Sequence, residues 1–291
     1  MTVPVTRATP VGFVGLGNLG QPMALNLIDH GWSLQVVDSK PERVEPVVAA
    51  GATAVGDVTA LAETPVVCFA VPDDRGIRSV LADGLSQRLG PDHLIIVHST
   101  TLPNRARELA AEIKRATGAA YLEVPVSGGS DRARRGELSA FIGGDDPSIE
   151  AALAVLEDEA SKLFRLGPVG AGSATKLANQ LIAFSALAGV HEALQLTAAF
   201  QVAEEAALDA IASATGDTWV GRNLDFWDRT ALDYNAAGVP EADRPWAKDL
   251  VEVLTTAADL GIELPVATLL SEVLPPAVED RALSIAERAG A

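Results

Sequence analysis

The sequence predicts an α/β chain in two parts, a doubly wound and mainly parallel sheet followed by an all-helical domain that a long helix opens. Up to about residue 168, short β-branched runs alternate with longer helical patterns. This alternation is typical of βαβ crossovers and of a sheet that helices cover on both faces. After Gly172 the strand patterns end and helical patterns take over. We therefore expect two domains, residues 1–168 and residues 169–291.

The strands of the predicted sheet are short runs rich in valine, isoleucine and other apolar residues. Six runs fit this description: 11–16, 33–38, 65–72, 94–100, 120–127 and 138–144. Helices are predicted between the first strands, over 21–31, which Gly31 closes, and over 41–51.

One long helix is predicted to open the second domain, over residues 173–208. This segment has no proline and carries no charge between Lys176 and Glu192. A helix this apolar must be packed on nearly all sides, which favours a homodimer interface. Helices are also predicted over 246–261 and 265–289.

The composition narrows the classes of partner. Hydrophobic residues make up 48% of the 291 residues, and the formal net charge is −17. Nucleic acid is excluded as a partner because its phosphates require clustered lysine and arginine, and anionic membrane surfaces are disfavoured. The N-terminus lacks the apolar core of a signal peptide, and no uncharged apolar run approaches the length of a membrane span. We expect a cytoplasmic protein without membrane contact.

Cys68 is the only cysteine, inside the apolar run "VVCFAVP". A single cysteine excludes a disulfide within the chain and a cysteine-rich metal site. Among valines it is most often a small buried hydrophobic residue rather than a catalytic thiol. We expect no metal.

Three glycines follow the first predicted strand, in "GFVGLGNLGQPMALNL". Gly15 allows a tight turn, Gly17 lets the backbone approach a phosphate, and Gly20 allows close packing of strand and helix. A turn between a strand and the N-terminus of a helix places a pyrophosphate on free N–H groups. The sequence therefore predicts a Rossmann-type dinucleotide-binding domain.

An acidic residue, Asp38, ends the second predicted strand, 18 positions after Gly20. A carboxylate there accepts hydrogen bonds from ribose hydroxyls and repels a 2′-phosphate, which favours NAD over NADP. Lys40 and Arg43 argue the other way, since either can reach toward such a phosphate.

Two further polar segments end predicted strands. In "PVSGG", Ser127 offers a hydroxyl, and Gly128 and Gly129 expose backbone N–H groups that suit a carboxylate; an ordinary strand-ending turn is the alternative. In "HST", Thr100 is the residue we favour for contact with the nicotinamide ribose or carboxamide, and a helix cap is the alternative. His98 is expected to be structural.

Lys176 lies at the start of the long apolar helix, with no compensating charge close in sequence. Burial of its ammonium group is unfavourable unless the group is paired or its pKa falls, and a lysine with a lowered pKa can exchange a proton near neutral pH. A solvent-exposed helix start is the alternative.

Two features late in the chain have open interpretations. Lys248 stands in the first turn of a helix, against the helix dipole, which indicates a local partner or ligand; a solvated helix start is the alternative. Segment 217–246 holds three of the four tryptophans. Trp219, Arg222, Asn223 and Trp227 either shape a substrate pocket or, for the two tryptophans, belong to the core.

Four segments together resemble the β-hydroxyacid dehydrogenase family, which includes 3-hydroxyisobutyrate dehydrogenases. They are the glycine-rich segment at 12–27, "EVPVSGGSDRARRGELSAFIGG" at 123–144, "GAGSATKLANQ" at 170–180 and "WAKDL" at 246–250. The chain departs from the family at Leu19, where methionine is usual, and at Glu123 and Val124, where Asp-Ala is common. It also has Gln180 where asparagine is usual, with Asn179 one position earlier.

The resemblance implies hydride transfer between NAD and a small carboxylate-bearing β-hydroxy acid, or reduction of the corresponding semialdehyde or keto acid. It implies that Lys176 is the general acid/base, aided by Asn179 or Gln180, and that Ser127, Gly128, Gly129, Lys176 and Gln180 bind the substrate. The implied cofactor contacts are Gly15, Gly17, Asn18, Leu19, Gly20, Asp38, Ser39, Val71, Pro72, Thr100 and Lys248. The alternatives are an imine reductase-like enzyme, which usually lacks this lysine, and a non-catalytic NAD-binding regulator.

Overall fold

A computed structural model describes residues 5–290, apart from the side chains of residues 289 and 290. The described chain forms two compact units, one ending at Lys176 and the other beginning at Leu177. The first contains the sheet and the second is helical, which confirms the predicted fold class. The predicted domain boundary near residue 169 stays a prediction.

The first unit alternates strands and helices. Its strands are β1 Val11–Val14, β2 Leu34–Val37, β3 Thr53–Ala54, β4 Val66–Phe69, β5 Leu94–Val97, β6 Ala120–Glu123, β7 Val126–Ser127, β8 Leu138–Gly143 and β9 Ala160–Gly167. Its helices are α1 Gly20–Asp29, α2 Pro41–Ala49, α3 Asp74–Ala82, α4 Pro103–Thr117, α5 Gly129–Arg134 and α6 Asp146–Glu159. Short 3-10 turns cover Val58–Glu63 and Leu85–Gln87.

The sheet has the strand order β3-β2-β1-β4-β5-β6-β8-β7, with β9 beside β8. The six strands from β3 to β6 are parallel, and β8 runs antiparallel to β6 and β7. The chain leaves β1 toward β2 on one side and returns to β4 on the other, which makes the β1–β4 boundary the switch point of the sheet. Ligands of such sheets bind beyond the carboxyl ends of the strands at this point.

Alternation along the strands divides the buried side chains between two cores. Phe13, Cys68 and Ile96 lie side by side in the register of β1, β4 and β5 and face the core that α1 and α6 cover. Phe69 and Val97 face the opposite core, which α3 and α4 cover. The strands are therefore buried on both faces, as their continuous apolar runs predict.

Two sequence predictions for this sheet need correction. The strand predicted over 120–127 is interrupted at Val124–Pro125 and forms β6 and β7, because proline has no N–H to donate to a sheet ladder. Strand β9 is not among the predicted strands. It follows α6 without a turn, and most of its residues are exposed, Lys162 and Arg165 among them. Ser161, Lys162 and Arg165 interrupt its apolar residues, so the sequence offers no continuous apolar run to detect.

The second unit is helical throughout its described residues. Its helices are the larger part of α7 Ala171–Ala198, then α8 Glu204–Ala212, α9 Trp219–Arg222, α10 Leu224–Ala236, α11 Pro245–Leu260 and α12 Pro265–Gly290, with a 3-10 turn at Glu241–Asp243. The helices predicted over 246–261 and 265–289 match α11 and α12.

The single helix predicted over 173–208 is wrong, because α7 ends at Ala198 and α8 begins at Glu204. Gln201 adopts a φ of 60° and donates its N–H to the carbonyl of Ala198, while Val202 donates to Thr197. These two bonds form a Schellman cap. Glycine is the usual residue at this left-handed position. Because a glutamine occupies it here, the sequence gives no signal that the helix ends.

Buried aromatic residues organise the core of the second unit. Trp246 is fully buried, and Phe184 meets Trp227 edge to face with ring centroids 5.9 Å apart. The Trp246 indole N–H donates to Glu279 at 2.9 Å, and the same carboxylate pairs with buried Arg244. This network joins the start of α11 to α12.

Helix α7 is long and apolar enough, by length and composition, to span a membrane, and 28% of its most apolar window is buried in the chain. This differs from the expectation that no segment approaches a membrane span. The expected absence of membrane contact stays a prediction.

Candidate active site

The predicted dinucleotide turn lies between β1 and α1. Gly15 has a φ of 91°, and a Cβ there would lie 2.5 Å from the carbonyl oxygen of Ala70. A Cβ on Gly20 would collide with the Gly15 carbonyl. A Cβ on Gly17 would instead meet only Nη1 of Arg43, at 3.8 Å. The turn is therefore closed on the protein side and open at Gly17, which fits the approach of a pyrophosphate.

The start of α1 is also suited to an anion. Asn18 is exposed and Leu19 is half-buried at the N-cap, where no side chain accepts a hydrogen bond from the helix. The first turn has no acidic residue. The positive end of the helix dipole is therefore not neutralised by a carboxylate within that turn.

Asp38 follows β2 and holds the neighbouring turn together. Its Oδ2 accepts the N–H of Leu16 at 2.7 Å, and its Oδ1 accepts the N–H of Lys40 at 2.8 Å. The Ser39 hydroxyl also donates to Oδ1, at 3.5 Å, so about one of the four acceptor positions of this carboxylate remains for a ribose hydroxyl. Arg43 lies 3.8 Å from Oδ1, and Ser39 is exposed beside it. These residues fit an NAD ribose.

The ends of β4 and β5 bring the next predicted residues to the same edge of the sheet. The N–H of Val71 donates to the Ser99 hydroxyl at 3.0 Å, and exposed Pro72 follows it. Thr101 shares a 3.3 Å hydrogen bond with Ser173. Ser99 and Thr101 therefore serve the fold, and the cofactor contact predicted for half-buried Thr100 stays a prediction.

The predicted carboxylate-binding segment lies at the end of β7. Ser127 is half-buried, and Gly128 and Gly129 have φ values of 143° and 75°. A Cβ on Gly128 would lie 3.0 Å from Leu138. The conformation of this turn favours glycine. Because glycine has no side chain, Gly128 and Gly129 do not cover their own backbone N–H groups.

Glu123 is a site residue that the sequence indicates only as a departure from the family pattern. This carboxylate is 1% exposed and accepts the N–H groups of Gly170 at 2.5 Å and Gly172 at 2.8 Å, and the Ser173 hydroxyl at 2.6 Å. Burial raises the pKa of Glu123, and these hydrogen bonds oppose that rise. Glu123 thus caps the start of α7 from a distant strand.

Lys176 lies on the helix that Glu123 caps, near its first turn. Its side chain is buried, with 8% exposed. The alternative of a solvent-exposed helix start is therefore wrong. Gly172, four residues earlier, permits this placement, because a Cβ there would collide with the Phe141 carbonyl.

The second unit contains a polar cluster built from α7 and α11. The Gln180 amide donates to Asp249 Oδ2 at 2.7 Å, and the Asn179 amide donates to Gln180 Oε1 at 3.2 Å. Lys248 Nζ lies 3.1 Å from Asp249 and 2.9 Å from Glu252. Burial lowers the pKa of Lys248, but the two carboxylates outweigh it and raise the pKa overall. Lys248 therefore stays charged.

Segment 217–246 is divided between core and surface. Trp227 is buried in the core and Trp219 is half exposed against Phe226. Arg222 pairs with Asp217, and Asn223 donates to the Trp219 carbonyl. The pocket role considered for these residues stays a prediction.

Comparisons with known proteins agree with this arrangement. Residues 10–167 match the family model described as the NAD binding domain of 6-phosphogluconate dehydrogenase. Residues 170–283 match the model described as NAD-binding of NADP-dependent 3-hydroxyisobutyrate dehydrogenase.

Individual relatives support the same assignment. An uncharacterised oxidoreductase of Mycobacterium tuberculosis is 35% identical over 69% of this chain and 67% of its own length. An NAD-dependent L-serine dehydrogenase of Pseudomonas aeruginosa is 32% identical over 72% of this chain and 71% of its own. The solved structure of Mycobacterium tuberculosis 3-hydroxyisobutyrate dehydrogenase with L-serine has a TM-score of 0.78 and 26% identity, covering 94% of this chain and 95% of that one.

The chain is a dinucleotide-binding oxidoreductase by its fold and its glycine turn. It belongs to the β-hydroxyacid dehydrogenase family of the 3-hydroxyisobutyrate dehydrogenase type, whose cofactor is NAD. The predicted family and cofactor are confirmed.

Proposed function

We propose that the protein oxidises a small 3-hydroxy acid with NAD, or reduces the corresponding semialdehyde, with Lys176 as the general acid/base. The observation that carries the proposal is the buried Lys176 on a helix whose start Glu123 fixes. The relatives named for L-serine and 3-hydroxyisobutyrate support a small substrate that carries both a carboxylate and a hydroxyl group.

Ser127, Gly128 and Gly129 bind the substrate carboxylate in this proposal. The positive φ values of the two glycines turn the backbone away from the strand direction, and Ser127 adds a hydroxyl donor. Backbone concavities of this kind bind anions. When the substrate carboxylate is bound at this turn, the distance from the turn to the substrate hydroxyl is fixed.

Lys176 receives the proton of the substrate hydroxyl as the carbonyl forms. NAD, when bound, supplies the acceptor for the hydride that leaves the carbinol carbon. Burial favours the neutral amine form of a lysine, and a neutral amine is the form that accepts a proton. In the reverse direction, the ammonium group donates the proton to the carbonyl oxygen.

Asn179 and Gln180 follow Lys176 by three and four residues on the same helix. An ionised carboxylate such as Asp249 accepts hydrogen bonds and donates none, so its partner is the N–H side of the Gln180 amide, and this bond determines the amide orientation. Gln180 therefore orients the substrate hydroxyl with a fixed side chain. Lys248, held between Asp249 and Glu252, supplies a permanent positive charge for its cofactor contact.

A homodimer and a cytoplasmic location are part of the proposal. Large apolar side chains of the second unit, among them Ile182, Leu196 and Phe200, are 72%, 65% and 77% exposed. Exposed apolar patches of this kind mark interaction sites. A second copy of the chain is the partner we assign to them. The net charge of −17 favours solubility.

The test is turnover with NAD and with NADP on a panel containing 3-hydroxyisobutyrate, L-serine and glycerate. We expect NAD-dependent turnover, and we expect Lys176→Ala to lower kcat by about 100- to 10,000-fold, the usual contribution of a general acid/base. Lys162→Ala, at an exposed lysine of β9, is the matched control and should leave kcat unchanged.

Binding of NAD, measured by calorimetry, separates the two steps of the test. Lys176→Ala should bind NAD as the unmodified protein does. Full activity in Lys176→Ala would refute its assigned role. NAD binding without turnover on any hydroxy acid would refute the substrate class and favour a non-catalytic NAD-binding protein.

A further inference from the structure

Three buried side chains that the proposed reaction does not use meet on one face of the sheet in the first unit. Cys68 lies on β4, His98 directly follows β5, and Glu159 ends α6. One ligand atom from each of them lies within 4.8 Å of the other two. Leu94, Ile96 and His98 alternate onto the same face, which α6 covers.

Three polar atoms of this cluster have no hydrogen-bond partner among the described residues. His98 Nδ1 lies 3.2 Å from the Val124 carbonyl oxygen, which makes Nδ1 the donor of this hydrogen bond and leaves Nε2 facing Glu159. His98 Nε2 and both carboxylate oxygens of Glu159 lack a hydrogen-bond partner among residues 5–290. Nε2 and Oε1 are 3.4 Å apart, and both side chains are at most 2% exposed. Buried polar atoms without partners are rare in folded proteins.

We propose that Cys68, His98 and Glu159 bind a divalent transition-metal ion, with zinc as the expected ion, as a structural centre of the nucleotide-binding unit. Sulfur, imidazole nitrogen and carboxylate oxygen are the three ligand types that zinc accepts. Calcium and magnesium take oxygen ligands and do not fit this set. A thiolate and a carboxylate also balance the charge of a divalent ion, so the bound cluster is neutral in a dry core.

The hydrogen bond that His98 makes to Val124 and the spacing of the three ligand atoms fit the same ion. A metal-binding histidine usually donates its other ring N–H to a carbonyl or carboxylate, as His98 does to Val124. Zinc bonds of about 2.0–2.3 Å place tetrahedral ligand atoms roughly 3.3–3.8 Å apart. The present separations of up to 4.8 Å require a contraction of about 1 Å, within the reach of side-chain rotation. The second oxygen of Glu159 offers a fourth bond.

The sequence prediction of no metal considers only a cysteine-rich site. The three ligands here come from positions 68, 98 and 159, so no short motif contains them. Bound zinc would connect β4, β5 and α6, and His98 is already held by stacking on Phe13, with ring centroids 6.4 Å apart.

The test uses the full-length protein, expressed in minimal medium supplemented with zinc or with cobalt and purified without chelator. We expect one metal ion per chain by mass spectrometry of the elements. The cobalt protein should show the near-ultraviolet absorption of thiolate-to-cobalt charge transfer. Cys68→Ser should abolish that absorption. Glu159→Gln should weaken metal binding at least about 100-fold, the upper range for loss of a residue that only hydrogen-bonds a metal ligand.

His93→Gln is the matched control, because His93 is a histidine of the same unit that hydrogen-bonds Ala62 and lies outside the cluster. It should retain one metal ion per chain. A metal-free protein that binds NAD normally would overturn the proposal and leave His98 and Glu159 as an ion pair only. Cobalt bound without the thiolate band would also overturn it. If the cluster variants do not fold, the cobalt spectrum of the unmodified protein still decides.

Discussion

The two units of the chain differ in how completely they bury their apolar side chains. The sheet of the first unit is covered on both faces by its own helices, and only Val48, Phe164 and Leu166 are large apolar residues that it exposes in the described chain. The second unit exposes twelve: Ile182, Leu196, Phe200, Val202, Trp219, Val251, Leu260, Ile262, Val266, Leu269, Val273 and Leu283. The first unit therefore covers its apolar core with its own helices, whereas the second carries most of the large apolar side chains that the described chain exposes.

Two buried polar groups, Glu123 in the first unit and His191 in the second, have opposite surroundings. In the first, the Glu123 carboxylate is surrounded by N–H and O–H donors. In the second, neither ring nitrogen of His191 has a hydrogen-bond partner among the described residues, although the side chain is buried. Substitutions at these positions should therefore have opposite consequences.

The largest effect is expected at Glu123. Glu123→Leu leaves the N–H groups of Gly170 and Gly172 buried without an acceptor, and we expect unfolding in urea to become easier by about 3–5 kcal/mol, the cost of breaking a buried charged network. Glu123→Gln keeps one acceptor oxygen and should lose less. Equal stability of Glu123→Leu and the unmodified protein would show that this cap contributes nothing.

A smaller effect is expected from charge on the exposed face of the second unit. The pair Leu196→Glu and Phe200→Glu, at positions 65% and 77% exposed, should weaken self-association more than tenfold, or about 1.4 kcal/mol, because a carboxylate resists burial. Sedimentation velocity over a concentration series measures this. Val48→Glu in the first unit is the control and should not change association; a monomeric unmodified protein would contradict the assigned dimer.

The next effect concerns pH. Burial and the nearby Arg281 lower the pKa of His191 to about 4, while Asp228 and Glu204 oppose this shift. Because the unfolded chain binds a proton near pH 6.5 and the folded chain only near pH 4, protonation of the unfolded chain lowers the free energy of unfolding as the pH falls from 6.5 to 4, and it has no effect above that range. After allowance for partial solvent screening, we expect a loss of about 1–2 kcal/mol.

His191→Leu isolates this contribution. The variant should be about as stable as the unmodified protein at pH 7, since both ring nitrogens lack partners among the described residues, and more stable than it at about pH 4.5. Urea unfolding at both pH values gives the comparison. A stability difference that does not change with pH would rule out the titration of His191 as its cause.

The smallest effect is expected at the end of α7. Gln201 has a φ of 60°, a conformation that glycine adopts without strain. Gln201→Gly should therefore relieve strain and raise the free energy of unfolding by about 0.5–1 kcal/mol. The greater conformational entropy of glycine in the unfolded chain reduces this gain. Thermal unfolding measures the change. A decrease in stability would mean that the glutamine side chain makes a stabilising contribution that outweighs the strain.

Much of the first unit could be predicted from the sequence because its signals are local. The apolar runs, the glycines of the β1–α1 turn and Asp38 each lie within a short segment, and the structure places them in one turn. Strand β9 was not predicted, because it is defined by its pairing with β8 and not by its composition.

The features that the sequence did not reveal depend on contacts between distant segments. Glu123 caps a helix whose first residue lies 48 positions later, and no local pattern connects the two. Cys68, His98 and Glu159 likewise converge only in the folded sheet. The end of α7 was missed for another reason, because its left-handed residue is a glutamine that no rule of composition marks.

The absence of a side chain at Gly172 limits how this enzyme can diversify. Any larger residue there would strike the Phe141 carbonyl, and the neighbouring N–H groups are committed to Glu123. Mutant libraries that randomise 170–173 should therefore yield mostly inactive clones. Exposed positions outside this segment, such as Lys162 on β9, have no such constraint and should tolerate many side chains.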